Sequence, residues 1–77
     1  MKEKYAQRYK EIGLKIAYYR KLKGYSQMEF AELIDVSRTH LSNIEAPNKP
    51  TSVSLDLLFQ ISEALHVDIK HFFDFTT

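Results

Sequence analysis

Ser26-Gln27-Met28-Glu29-Phe30-Ala31-Glu32-Leu33-Ile34-Asp35-Val36-Ser37-Arg38-Thr39-His40-Leu41-Ser42-Asn43-Ile44-Glu45 is the stretch on which the fold turns. It contains two helix starts with a tight turn between them. Ser26 and Glu29 have the spacing of a capping box, in which a serine hydroxyl accepts from the amide three residues on and a glutamate reaches back. Behind that cap, Phe30, Ala31 and Ile34 form one apolar face, and the helix is expected to run out near Asp35. Ser37 then caps a helix over Arg38 to Glu45, in which only Leu41 and Ile44 are clearly apolar. Arg38, Thr39, His40, Ser42 and Asn43 therefore give this helix an outward polar side whose groups donate and accept hydrogen bonds.

Upstream, Tyr5, Tyr9, Ile12, Ile16 and Tyr19 recur at intervals of four and three, predicting one amphipathic helix from about Tyr5 to Lys23. Gly24 follows as a left-handed stop. Downstream, Pro47 and Pro50 mark a loop, and Ser54 caps a helix carrying Leu55, Leu58, Ile61 and Leu65. His66-Val67 interrupts it, and Asp68 is expected to cap a last short helix with Ile69, Phe72 and Phe73. Period-two alternation is missing, so the expected fold is all-α: five short helices in one domain over residues 1–77.

Composition narrows the function classes. A chain of 77 residues builds one small core, and with no cysteine that core rests on helix packing rather than disulfides. His40, His66 and His71 are scattered without partners at ligand spacing, so no metal and no cofactor are expected. The start carries no apolar signal region and no stretch approaches the roughly 20 apolar residues of a membrane span, so a soluble cytoplasmic protein is expected. An enzyme is disfavoured, because paired carboxylates, a Cys/His couple and a glycine-rich phosphate loop are all missing. The net charge is only +1, but residues 1–24 hold eight basic side chains against two acidic ones, while residues 25–77 hold three against eight. A basic end of this kind attracts a polyanion even when the total charge is near neutral, because the local field matters at separations near a Debye length.

The pattern Ser26-Gln27-x-x-Phe30-Ala31-x-x-x-Asp35-Val36-Ser37-x-x-x-Leu41-Ser42-x-Ile44-Glu45 resembles the signature of the phage-repressor/Cro-like, or XRE, helix-turn-helix family, with the motif at about 26–45. Ile12-Gly13-x-x-Ile16-x-x-Tyr19-Arg20 is similar to that family's first helix, and Leu55-x-x-Leu58-x-x-Ile61-x-x-Ala64-Leu65-x-Val67 to its fourth. The resemblance implies a sequence-specific transcriptional regulator, most simply a repressor, whose helix from Ser37 enters the major groove of double-stranded DNA.

Carried over position by position, the resemblance places Arg38, Thr39, Ser42 and Asn43 at base edges. It also implies that Gln27 binds a phosphate and braces the start of the recognition helix, with Ser37 beside it. Arg20 and Glu45 match a pair that ties the first helix to the end of the recognition helix, leaving part of the guanidinium for phosphate. Lys23, His40, Asn48 and Lys49 complete the expected backbone contacts. Asp35 stands where the family commonly has glycine, a position that Asp tolerates better than most residues. The proline-containing loop Ala46–Pro50 departs from the family's usual basic, glycine-containing loop.

Leu57, Phe59, Phe72, Phe73 and Phe75 exceed what so small a C-terminal half buries, and they suggest a homodimer on a palindromic operator with half-sites about 34 Å apart. The rival class is a protein-interaction module that keeps the fold, such as an antitoxin-like partner. Salt-dependent binding to duplex DNA separates the two.

Overall fold

A computed structural model describes residues 1–75 and contains helices and no strand among them. A short 3-10 turn, Glu3–Tyr5, leads into α1 (Ala6–Leu22). Then come α2 (Gln27–Leu33), α3 (Arg38–Glu45), α4 (Leu55–Leu65) and a closing 3-10 turn, Ile69–Phe72. The expected fifth helix is thus a single 3-10 turn. Its cap is the predicted one, since the Asp68 carboxylate accepts from the amide of Lys70.

The local signals act as their chemistry requires. Ser26 accepts from the Glu29 amide at 3.0 Å while the Glu29 carboxylate accepts from the Ser26 amide at 2.8 Å, which completes the capping box. Ser37 and Ser54 cap α3 and α4 by accepting from the amides of His40 and Leu57. Gly24 ends α1 at φ 86°, and its neighbour Tyr25 donates back to the Arg20 carbonyl. Asp35 takes φ 57° between α2 and α3, so the residue in place of glycine adopts the left-handed turn. The Val36 amide then donates to the Ala31 carbonyl, closing α2 and aiming the chain into α3. His66, read from sequence only as an interruption, closes α4 in the same conformation, at φ 56°.

One core runs through the molecule. Ile12 and Ile16 of α1, Phe30 and Ala31 of α2 with the adjoining Ile34, and Leu41 and Ile44 of α3 meet Leu58, Ile61, Leu65 and Phe72. Tyr5 stays on the side of the predicted stripe, where it lines a hollow with Tyr9, Ile12 and Leu58, but it is exposed because it lies at the open N-terminal end of α1. The crossing of α1 over the end of α3 is unusually close. A Cβ on Gly13 would lie 1.9 Å from the Ile44 carbonyl oxygen, so the absence of a side chain there sets how near the two helices come.

Candidate nucleic-acid interface

α1 and α2 pack against α3 and fix its orientation. Leu41 and Ile44 point into the core, so at 100° per residue the opposite side of the helix carries Thr39 and Asn43, with Arg38, Ser42 and His40 on its flanks. Arg38, Thr39 and His40 are exposed, and Ser42 and Asn43 are half-buried. The face expected to be polar and outward is present as an outward face.

Its far end is anchored by a buried ion pair. The Arg20 Nε donates to Glu45 Oε2 at 2.8 Å and Nη2 donates to Oε1 at 2.9 Å, a two-pronged contact between α1 and the last residue of α3. The third prong, Nη1, donates to the Tyr25 carbonyl at 2.7 Å, tying in the turn before α2. Gln27 adds an amide donor to Glu45 Oε1 at 3.0 Å. One carboxylate thus gathers α1, the start of α2 and the end of α3 into a single charge-assisted network. Among the described residues no buried side-chain nitrogen or oxygen lacks a partner, the condition under which such a network rigidifies instead of destabilising.

This geometry corrects two expectations. Gln27 braces the end of α3 and not its start, because the first residue of α2 faces Glu45. Arg20 is 5 % exposed with three donors engaged, so it acts as a structural tie and little of its guanidinium is left for a phosphate. Lys23, Asn48 and Lys49 are exposed, at the end of α1 and in the loop after α3. The Ser37 hydroxyl already accepts from the His40 amide, leaving its O–H as the free donor.

Lys21 was missed in the sequence. It is exposed and borders a shallow groove between α1 and α3, together with Gln27, Ser42 and Ala46. The available signal was its neighbour: once Arg20 turns inward to Glu45, the next residue lies 100° around α1, on the rim.

The apolar residues expected at a dimer contact separate into two groups. Phe72 is fully buried and packs edge-to-face on Tyr19 at 5.6 Å between centroids, so it belongs to the chain's own core and not to an outer contact. Leu57 is half-buried against that core. Phe75 is also half-buried, with Arg8 and Lys15 at 4.6 and 5.7 Å from its ring centre. Phe59 and Phe73 are exposed, and so is Leu55, expected on the apolar stripe of the fourth helix but lying at its open first turn. Leu55, Phe73 and Phe75 border an apolar hollow where the starts of α1 and α4 meet the C-terminal segment.

A family model described as helix-turn-helix matches residues 16–72, from the middle of α1 through the closing 3-10 turn. The chain belongs to the phage-repressor/Cro-like helix-turn-helix family. Among curated proteins, this family member is 41 % identical over 63 residues to the HTH-type transcriptional regulator SinR of Bacillus subtilis (strain 168), covering 82 % of this chain and 56 % of that protein. It is 43 % identical over 58 residues to SinR of Bacillus licheniformis, covering 75 % of this chain and 51 % of that protein. The chain therefore spans about half the length of the curated relatives it matches. Among solved structures, it superposes with a TM-score of 0.74 and 41 % identity on a crystal structure of SinR, described as the master regulator for biofilm formation, in complex with DNA. That match covers 82 % of this chain and 98 % of the other. For this helix-turn-helix chain, no helix among the described residues is long and apolar enough to cross a membrane.

Proposed function

We propose that residues 1–77 form one DNA-binding domain of a transcriptional regulator, most simply a repressor, which inserts α3 into the major groove of double-stranded DNA. The observation that carries this reading is the outward polar side of α3, held by the buried Arg20–Glu45–Gln27 network beside exposed lysines. A rigid helix with a free polar face suits groove reading, because base discrimination requires donors and acceptors held in register. The likeness to a SinR structure solved with DNA supports the same reading.

In this assignment Arg38, Thr39, Ser42 and Asn43 reach base edges. Gln27, Ser37, Lys21, Lys23, His40, Asn48 and Lys49 contact phosphates. Arg38 favours guanine and Asn43 favours adenine by hydrogen-bond geometry, each good pair discriminating by roughly 1–3 kcal/mol. Binding as a homodimer to a palindromic operator completes the proposal, with Leu55, Leu57, Phe59, Phe73 and Phe75 as the contact candidates. The protein acts without catalysis, metal or cofactor, and works in the cytoplasm where DNA is within reach.

Fluorescence anisotropy with labelled duplex DNA at several salt concentrations tests this. Three cationic phosphate contacts per chain (Lys21, Lys23, Lys49) give a slope of log K against log salt of about −2.7 per chain, and about −5.4 for the homodimer. Selection from a random duplex library is expected to return a two-fold symmetric site, and Arg38→Ala is expected to relax one position of each half. No binding, or binding indifferent to salt, overturns the proposal.

A further inference from the structure

We propose that the outer face of α1 is a docking site for an acidic amphipathic helix of a partner protein, seated on the row Leu14, Tyr18 and Leu22. These residues are spaced four apart in the helix, so they fall within an arc of about 80° and extend along about 12 Å of its length. They lie opposite the buried Ile12 and Ile16 and are 43 %, 60 % and 63 % exposed. One exposed leucine on a small protein is ordinary, whereas three large apolar side chains in one row form a continuous surface. A row of this length, about two turns, is what the successive anchors of an amphipathic partner helix laid along it would cover.

Charge determines which partner fits. Lys10 and Lys21 lie along one edge of the row and Lys15 along the other, with Glu11 at the N-terminal end as the acidic exception. The row sits in the segment where eight of the eleven lysines and arginines are gathered. A second copy of this chain is a poor occupant, because two-fold antiparallel pairing of α1 about Tyr18 would set Lys15 of each copy against Lys21 of the other. A helix with leucines on one side and glutamates flanking them meets both the apolar row and its basic edges. Lys21 also belongs to the proposed phosphate contacts and Leu14 borders the same groove, but Tyr18 and Leu22 have no part in the proposed DNA contacts, so changing those two tests this site apart from DNA binding.

The test uses the whole chain and a synthetic helix of about 18 residues, long enough to hold helical structure, carrying a leucine row edged by glutamates. A second peptide replaces every glutamate by lysine. Fluorescence polarisation is expected to give at least about tenfold tighter binding of the acidic peptide, weakening as salt rises. Amide shifts in an isotope-labelled chain are expected to cluster around Leu14, Tyr18 and Leu22. The double variant Tyr18→Ser with Leu22→Ser is expected to lose about tenfold in peptide binding. Tyr18→Ser removes an edge-to-face contact with Tyr19, so a small fall in thermal midpoint is expected, but the variant's fold and DNA binding should stay as in the parent chain, which separates failure of this site from failure of the DNA reading.

Equal binding of both peptides, or shifts that map elsewhere, overturns the proposal. So does sedimentation showing that the chain alone self-associates through this row. Attachment to anionic phospholipid vesicles with no peptide binding overturns it in favour of a membrane surface.

Discussion

Replacing Gly13 by alanine sets two effects against each other whose magnitudes differ enough to decide the sign. In the interior of an exposed helix, glycine to alanine gains about 1 kcal/mol, since alanine loses less backbone entropy on folding. At Gly13 the new Cβ would lie 1.9 Å from the Ile44 carbonyl oxygen and 3.0 Å from its carbon, both backbone atoms that no rotamer change can move aside. Ordinary contact begins near 3.4 Å, so α1 and the end of α3 must separate by about 1.5 Å. Overpacking of this kind costs about 1–3 kcal/mol. The upper end applies because Glu45, the residue after Ile44, is held to α1 by its pair with Arg20, which the shift would stretch.

The expected net loss is about 2 kcal/mol, or a fall in thermal midpoint on the order of 10 °C for a domain of this size. Circular dichroism melts and urea titrations of Gly13→Ala measure it. Gly24→Ala serves as the comparison: nothing lies within 4 Å of its Cβ, but φ is 86°, so it should lose about 1 kcal/mol through backbone strain alone. A Gly13→Ala chain as stable as its parent, or more stable, would refute the claim that this glycine sets the α1–α3 distance.

Glu45→Ala leaves the Arg20 charge buried without its partner and should cost about 3–5 kcal/mol in urea unfolding, while Arg20→Met combined with Glu45→Met should cost clearly less than the sum of the two single changes. Asp35→Gly relieves a left-handed non-glycine residue and should raise stability by about 1 kcal/mol, with DNA binding strengthened by loss of a negative charge beside α3. The capping box holds the Glu29 carboxyl below its usual value, chiefly through the backbone amide of Ser26. Its contribution is therefore present above the unfolded-state value and is lost as pH falls through the folded one. Between about pH 6 and pH 3 the thermal midpoint of the parent chain should accordingly drop more than that of Glu29→Gln.

What the sequence determined by itself is what depends on residues close together in the chain. A serine three residues before an amide, a glycine or aspartate in a left-handed turn, and an apolar face repeating every three or four residues act over one or two helical turns. Ser26, Ser37, Ser54, Gly24 and Asp35 all take their expected local roles for that reason. The polar side of α3 was legible in the same way, because two apolar residues in an eight-residue helix leave only one buried direction. Arg20 with Glu45 was legible only through the family pattern, since no local rule pairs residues 25 apart.

Only the tertiary structure decided the rest. Whether Phe72 or Phe73 enters the core depends on how the closing 3-10 turn lies against α1 and α4, and whether Tyr5 is covered depends on what packs over the open end of α1. Gln27 reaches the end of α3 because α2 starts beside it, and Gly13 matters because a carbonyl from another helix occupies the place where its side chain would be. Contacts of this kind are set by the distance between helices, a quantity that periodicity along one helix does not contain.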